Sequence, residues 1–133
     1  MLGNRLASMP SIRYYGIGFY VYEGSARAWD GSATIGVIPH SIPAAPLYTV
    51  EGAVMQASGM PEIAWVPLRS LPKKFGQWFD TPRLMRELGA QYTNAEEMLT
   101  LRNVRDAYNA LVVIRRGHDS SPTPTGVRKV NPK

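Results

Sequence analysis

Ile12-Arg13-Tyr14-Tyr15-Gly16-Ile17-Gly18-Phe19-Tyr20-Val21-Tyr22 decides how this chain is read, because no other stretch is so dense in aromatic and β-branched residues. Tyr15, Ile17, Phe19 and Val21 alternate to give one wholly apolar face, and Tyr14, Gly16, Gly18, Tyr20 and Tyr22 give the other. A strand with so little polarity on either side belongs in a sheet covered on both faces. The two glycines admit a close-packed neighbour or let a ligand approach the backbone, and packing is the simpler expectation.

Working outward, Glu23-Gly24-Ser25 reads as a turn. Alternation resumes over Ala26–Trp29, Asp30-Gly31 is a strong turn dipeptide, and Ala33–Ile38 would complete an antiparallel β-hairpin. Pro39–Pro46 holds three prolines and is expected to be a loop. Thr49 is placed to cap a short helix reaching Ala57, with Gly59 just beyond its end. Ile63–Leu68 reads as a buried strand. Asp80-Thr81-Pro82 predicts a helix through Leu84, Met85 and Leu88, stopped by Gly89. Thr93 and Glu96 fit a capping box for a turn of helix. Asn103–Tyr108 leads into a last core strand, Ala110–Ile114.

Upstream of the Met9-Pro10 break, Leu2 and Leu6 lie one helix face apart with no capping residue before them. A helix feeding directly into a strand is the second half of a βαβ crossover, so the chain is expected to begin inside such a unit. A short frayed turn would explain the same residues.

At 133 residues and 44% hydrophobic content the chain is long enough for one domain with a core. The net charge of +5 is concentrated downstream of Ile114: Arg115, Arg116, Arg128, Lys129 and Lys133 face only Asp119 there, which leaves about one net positive charge for the rest. This distribution argues against a nucleic-acid-binding surface. Residues 1–116 are expected to fold, and the basic, Pro/Ser/Thr-rich tail 117–133 to be disordered. No run approaches the roughly 18–20 apolar residues of a membrane helix, and no secretory leader is expected, so a cytoplasmic location is the default. There is no cysteine for a disulfide or thiolate site.

Catalytic signatures are sparse. Gly16-Ile17-Gly18 begins like a dinucleotide fingerprint, but position 21 is Val and the glycines lie inside a strand. There is no G-x-S-x-G elbow and no glycine-rich loop ending in Gly-Lys-Ser/Thr. His40 and His118 have no partner at metal-ligand spacing, so no metal or other cofactor is expected. His118 reads as a solvated loop residue, and His40 as a loop position that could rim a pocket. Glu23, Ser25 and Arg27 sit near a strand end, where open α/β sheets gather their ligands, although an ion pair explains the two charges equally well. With His40 they are the candidate substrate-binding residues; no catalytic residue is assigned. Asp80, Arg83 and Glu87 would share one helix face, most simply as a solvated charged face.

Several segments, taken in order, resemble the last third of erythromycin-esterase-like proteins. Leu2-Gly3-Asn4-Arg5-Leu6 followed by Tyr14-Tyr15-Gly16-Ile17-Gly18-Phe19 is similar to that family's helix and Tyr-x-x-Gly-Phe strand, and Tyr22-Glu23-Gly24-Ser25 to its Glu-Gly-Ser/Thr turn. Arg86-Glu87-Leu88-Gly89-Ala90 resembles the later Arg-x-Ile/Leu-Gly segment. Tyr108 through Ile114, then Pro122-Thr123-Pro124, resemble the closing strand and tail, with Asn109 where the family carries an acid. The resemblance implies an α/β fold: a partial, mainly parallel sheet with flanking helices and the hairpin, as the C-terminal part of a larger hydrolase-like domain. It also implies a parent that opens esters or macrolide lactones with histidine and glutamate, in motifs that cannot be placed on this chain. The expectation is therefore a fragment, inactive alone, whose parent takes a small ester or lactone. Self-association through an exposed sheet edge is also expected. The rivals are a stand-alone binding or scaffold module, and a small basic protein recruited to an anion by its tail.

Overall fold

The computed structural model describes residues 8–9, 11, 13–31, 37–88, 91–94 and 96–119. The expected opening helix and the tail from residue 120 lie outside them. The fold is α/β, with a mixed four-stranded sheet, a separate two-stranded sheet and few helices.

The aromatic stretch forms strand β1 (Ile17–Trp29), which runs straight through the expected turn at Glu23-Gly24-Ser25. Gly24 explains this. Its φ of 135° lies where side chains are strained, and a Cβ there would sit 2.0 Å from the carbonyl oxygen of Gly117. Glycine thus lets two backbones touch in mid-strand rather than reversing the chain.

The hairpin partner β2 (Val37–Ile42) pairs antiparallel with Gly24–Trp29 and includes Pro39 and His40, which were expected in a loop. Proline is tolerated because β2 is an edge strand. Strand β3 (Ile63–Val66) starts where the sequence places it but ends two residues before Leu68 and buries only Ala64 and Val66, so it is not buried throughout; strand β6 (Ala110–Gly117) starts as expected and runs three residues past Ile114. The sheet order is β2-β1-β6-β3. Only β1 and β6 run parallel, so the sheet is mostly antiparallel instead of mainly parallel. Among the described residues, helices do not flank it on both sides either.

Thr49 caps helix α1 (Val50–Ala57) as expected, its hydroxyl accepting from Gly52 N. Short helix α2 (Lys73–Gly76) leads into a 3-10 turn, Gln77–Asp80. The helix expected after Asp80 is instead strand β4 (Arg83–Arg86), paired antiparallel with β5 (Leu99–Arg102). Arg-Leu-Met-Arg has good local helix propensity, but the ladder to β5 and complete burial of Met85 override it. At the turn before β5, Asn94 rather than Thr93 accepts hydrogen bonds, from Glu96 N and Glu97 N. Helix α3 (Val104–Ala107) precedes β6.

One face of the large sheet is buried. Tyr20, Leu111, Val113, Ala64 and Val66 pack against Val50, Val54 and Met55 of α1, with Leu68, Phe79, Met85 and Val104 completing the core. The space beside Gly18 is filled by Tyr20, Leu111 and Tyr108, so the glycine serves packing. On the other face Phe19 and Trp65 flank Val112, and Val21 and Ile63 flank Ile114, all in register. Phe19 is 68% exposed, Ile63 62% and Trp65 52%, so the described residues leave this apolar face open. The expected covering on both sides is not found within them.

Candidate functional site

The open sheet face changes character along β1. Beyond Val21 the next outward pair is Glu23 and Arg116, in register on neighbouring parallel strands, with an Arg116 Nη2 to Glu23 Oε1 contact of 3.0 Å. Parallel strands bring their C-terminal ends together, and here that end carries the charge. Ser25 and Arg27 alternate onto one side of β1 and both reach Asp119, just past β6. Ser25 Oγ donates to Asp119 Oδ1 at 2.7 Å, Asp119 N donates back to Ser25 Oγ at 3.0 Å, and Arg27 Nη1 lies 4.0 Å from Asp119 Oδ2. Arg27 also donates to the carbonyl of Val37.

Glu23, Ser25 and Arg27 are therefore gathered as the sequence suggests. His40 is not with them. It pairs with Ala26, whose side chain points to the opposite face, its Nε2 lies 3.2 Å from the carbonyl oxygen of Ala28, and its ring stacks on Tyr92 at 4.5 Å. His118 is exposed beside Asp119. Arg116 and Asp119 were missed because β6 was expected to end at Ile114. The signal that could have found them is alternation: Val112, Ile114 and Arg116 share a face once the strand is extended.

Two carboxylates balance two guanidinium groups in this cluster. The Ser25 hydroxyl holds the Asp119 carboxyl below its ordinary range, aided by its own backbone N–H, Arg27 and His118. A carboxylate so stabilised is a weak base and does not activate Ser25. The arrangement can hold polar groups of a ligand, but it does not present the base–nucleophile pair that attack on an ester requires. Among the described residues no three His, Cys, Asp or Glu side chains converge as metal ligands would. No helix among them is long and apolar enough to cross a membrane.

A second polar group is buried under β4. Glu51 is fully buried, and its Oε1 accepts from the main-chain N of Arg86 at 2.8 Å. Burial pushes the Glu51 carboxyl up, against hydrogen bonds and the Arg86 charge that pull it down. Arg86 is 4% exposed, and its Nη1 donates to Pro43 O at 2.9 Å and more weakly to Tyr22 O at 3.5 Å. Glu51 Oε2 and Arg86 Nε have no hydrogen-bond partner among the described residues, and a buried group left so costs about 1–3 kcal/mol. Nearby, Glu87 takes both bonds of an Arg102 fork, at 2.6 and 2.8 Å. The other residues of the expected helix face separate: Asp80 pairs with Arg105, and Arg83 lies over the Trp78 ring at 4.3 Å.

The family model described as erythromycin esterase matches residues 1–117. Among solved structures, a protein from Bacillus cereus superposes with a TM-score of 0.73 at 18% identity, over 87% of this chain and 28% of its own. A second, described as a succinoglycan biosynthesis protein, superposes with a TM-score of 0.61 at 16% identity, over 79% of this chain and 24% of its own. At these identities the likeness is one of fold. The chain spans about a quarter of the length of each of these two proteins. Nothing among curated proteins matches it.

Proposed function

The chain belongs to the erythromycin esterase family, and we propose that it is the C-terminal part of a larger hydrolase domain that opens ester or lactone bonds with water. In this reading the chain supplies strands and one wall of the cleft, and the general base that activates water lies elsewhere in the parent. The observation that carries it is the sheet face that changes from apolar to charged. Phe19, Trp65 and Ile63 are too exposed for a finished domain, and a contiguous apolar face of this kind marks a surface that another body covers. Further along the same face, Glu23, Ser25 and Arg27, with Arg116 and Asp119, would remain open as the polar wall that contacts substrate. His40, turned to the opposite face, would support β2 in place of touching the same ligand.

The share of the similar structures that this chain spans supports the reading. So does the lowered basicity of Asp119, the group that accepts the Ser25 hydrogen bond. Until covered, the apolar face and the edge strand β3 favour self-association. A non-catalytic binding module is the second reading, favoured by the same exposed face acting as a partner surface. Reading the DNA upstream of the Met1 codon separates the two. An in-frame coding region with the histidine and glutamate motifs supports the hydrolase part, whereas an unrelated gene followed by an independent ribosome-binding site supports the module.

A further inference from the structure

The polar stretch of the open sheet face does not stop at Arg27. By alternation along β1, Trp29 lies on the same side as Ser25 and Arg27, and it is 39% exposed. Residues paired across strands share a face, so exposed Ser41 of β2 joins Ser25 there, and exposed Gln91, bridged to Trp29, joins the indole. Tyr92, the next residue, turns to the opposite face and stacks on His40. From Glu23 to Trp29 this side of β1 extends roughly 20 Å, at about 3.3 Å per residue.

The charges along it are balanced, Glu23 and Asp119 against Arg116 and Arg27. An anion brought here meets two carboxylates and a cation meets two guanidinium groups, so neither is favoured. The ion pairs are partly exposed, hence individually weak, and they leave bonding capacity. Glu23 bonds Arg116 through Oε1, which leaves Oε2 to accept, and Asp119 Oδ2 has Arg27 only at 4.0 Å. Each guanidinium keeps further N–H donors, and Ser25, Ser41 and Gln91 both donate and accept. A ligand hydroxyl also does both at once, giving its proton to a carboxylate while accepting from an arginine. Trp29 adds an aromatic face, which is negatively polarised and attracts the weakly positive C–H face of a pyranose ring.

We infer that this face binds a short neutral oligosaccharide, its hydroxyls shared among Glu23, Arg27, Arg116 and Asp119 and one ring laid on Trp29. The inference rests on the reading of this face as a wall that contacts ligand, and adds the class of ligand; it does not rest on which bond the parent opens. Balanced charge discriminates between a neutral sugar and an acidic one. The indole discriminates in turn between a ring with an apolar face and an open-chain polyol.

Amide and indole NMR of the full 133-residue chain, titrated with cellotriose, trigalacturonate and sorbitol, tests this. Cellotriose is expected to saturate shifts at Ser25, Arg27 and the Trp29 indole N–H, with trigalacturonate and sorbitol weaker by about fivefold or more. Trp29→Ala should weaken cellotriose about tenfold, and Gln91→Ala, at an exposed position, several-fold. If Trp29→Ala does not fold, the ligand comparison and Gln91→Ala decide. Equal affinity for cellotriose and sorbitol, tighter binding of trigalacturonate, no saturable shift, shifts confined to Phe19 and Trp65, or undiminished binding by Gln91→Ala would overturn the inference. Its failure is separable from that of the hydrolase reading. Cellotriose binding by a chain with no histidine and glutamate motifs encoded upstream sustains the inference and sinks that reading; the motifs without cellotriose binding do the reverse.

Discussion

Ser25 and Asp119 exchange two hydrogen bonds, hydroxyl to carboxylate at 2.7 Å and main-chain N to hydroxyl at 3.0 Å, which ties the middle of β1 to the residue just past β6. Because the hydroxyl donates to the charged form, it is the main reason the Asp119 carboxyl titrates below its ordinary 3.8. A depressed carboxyl stabilises the fold above its unfolded value and loses that contribution as pH falls through the lower folded value. Ser25→Ala is expected to move the Asp119 titration, followed by carbon-detected NMR, up towards 3.8. A titration left unchanged would show that the bond does not form.

Gly24 and Gly59 both have positive φ, 135° and 73°, but only Gly24 is pressed against another backbone. Gly24→Ala combines strain with a clash on the Gly117 carbonyl and should cost about 3 kcal/mol or more. Gly59→Ala, with open space around the new methyl, should cost about 1 kcal/mol. Denaturant melts of the two variants check the ratio, and equal costs would place the Gly24–Gly117 contact in error.

The buried Glu51 makes its strongest structural contribution through one oxygen, the acceptor for Arg86 N. Its carboxyl is raised by burial, so ionisation opposes folding increasingly as pH rises from the unfolded value near 4.5 through the higher folded one. Glu51→Gln keeps the acceptor without the charge and should match or exceed wild-type stability at neutral pH. Glu51→Leu strands the Arg86 N–H and should cost about 1–3 kcal/mol. Thermal melts at pH 5 and pH 8 would expose a reversed order.

Phe19 and Trp65 flank Val112 on the open sheet face. Phe19→Lys with Trp65→Glu should reduce self-association and hydrophobic-dye binding by the isolated chain. Its melt should change little, because neither side chain belongs to the buried core. Sedimentation velocity at several concentrations measures the first effect; a cooperative loss of structure would mean that the face is already packed.

Local chemistry explains which parts of this fold were legible. Thr49 and its helix, the β3 segment and the start of β6 follow from capping and short β-rich runs, which depend on neighbours in sequence. The failures all turn on distant partners. Arg83–Arg86 is a strand because Leu99–Arg102 lies beside it, and Glu23-Gly24-Ser25 stays extended because Gly117 approaches from almost a hundred residues away. Pro39 could join a strand only because β2 is at the sheet edge. In the polar cluster, Glu23, Ser25 and Arg27 were recognisable by their strand-end position. Asp119 became visible only when β6 was seen to carry the chain past Ile114, and His40 could not be assigned a face before its register with Ala26 was known.

The proposed role, a non-catalytic portion of an ester- or lactone-opening hydrolase, is tested most directly by turnover. Purified chain, incubated with erythromycin and with simple nitrophenyl esters, should release product no faster than buffer. Hydrolysis above that background that Glu23→Gln or His40→Ala abolishes would contradict the account, because it would place the chemistry within these residues.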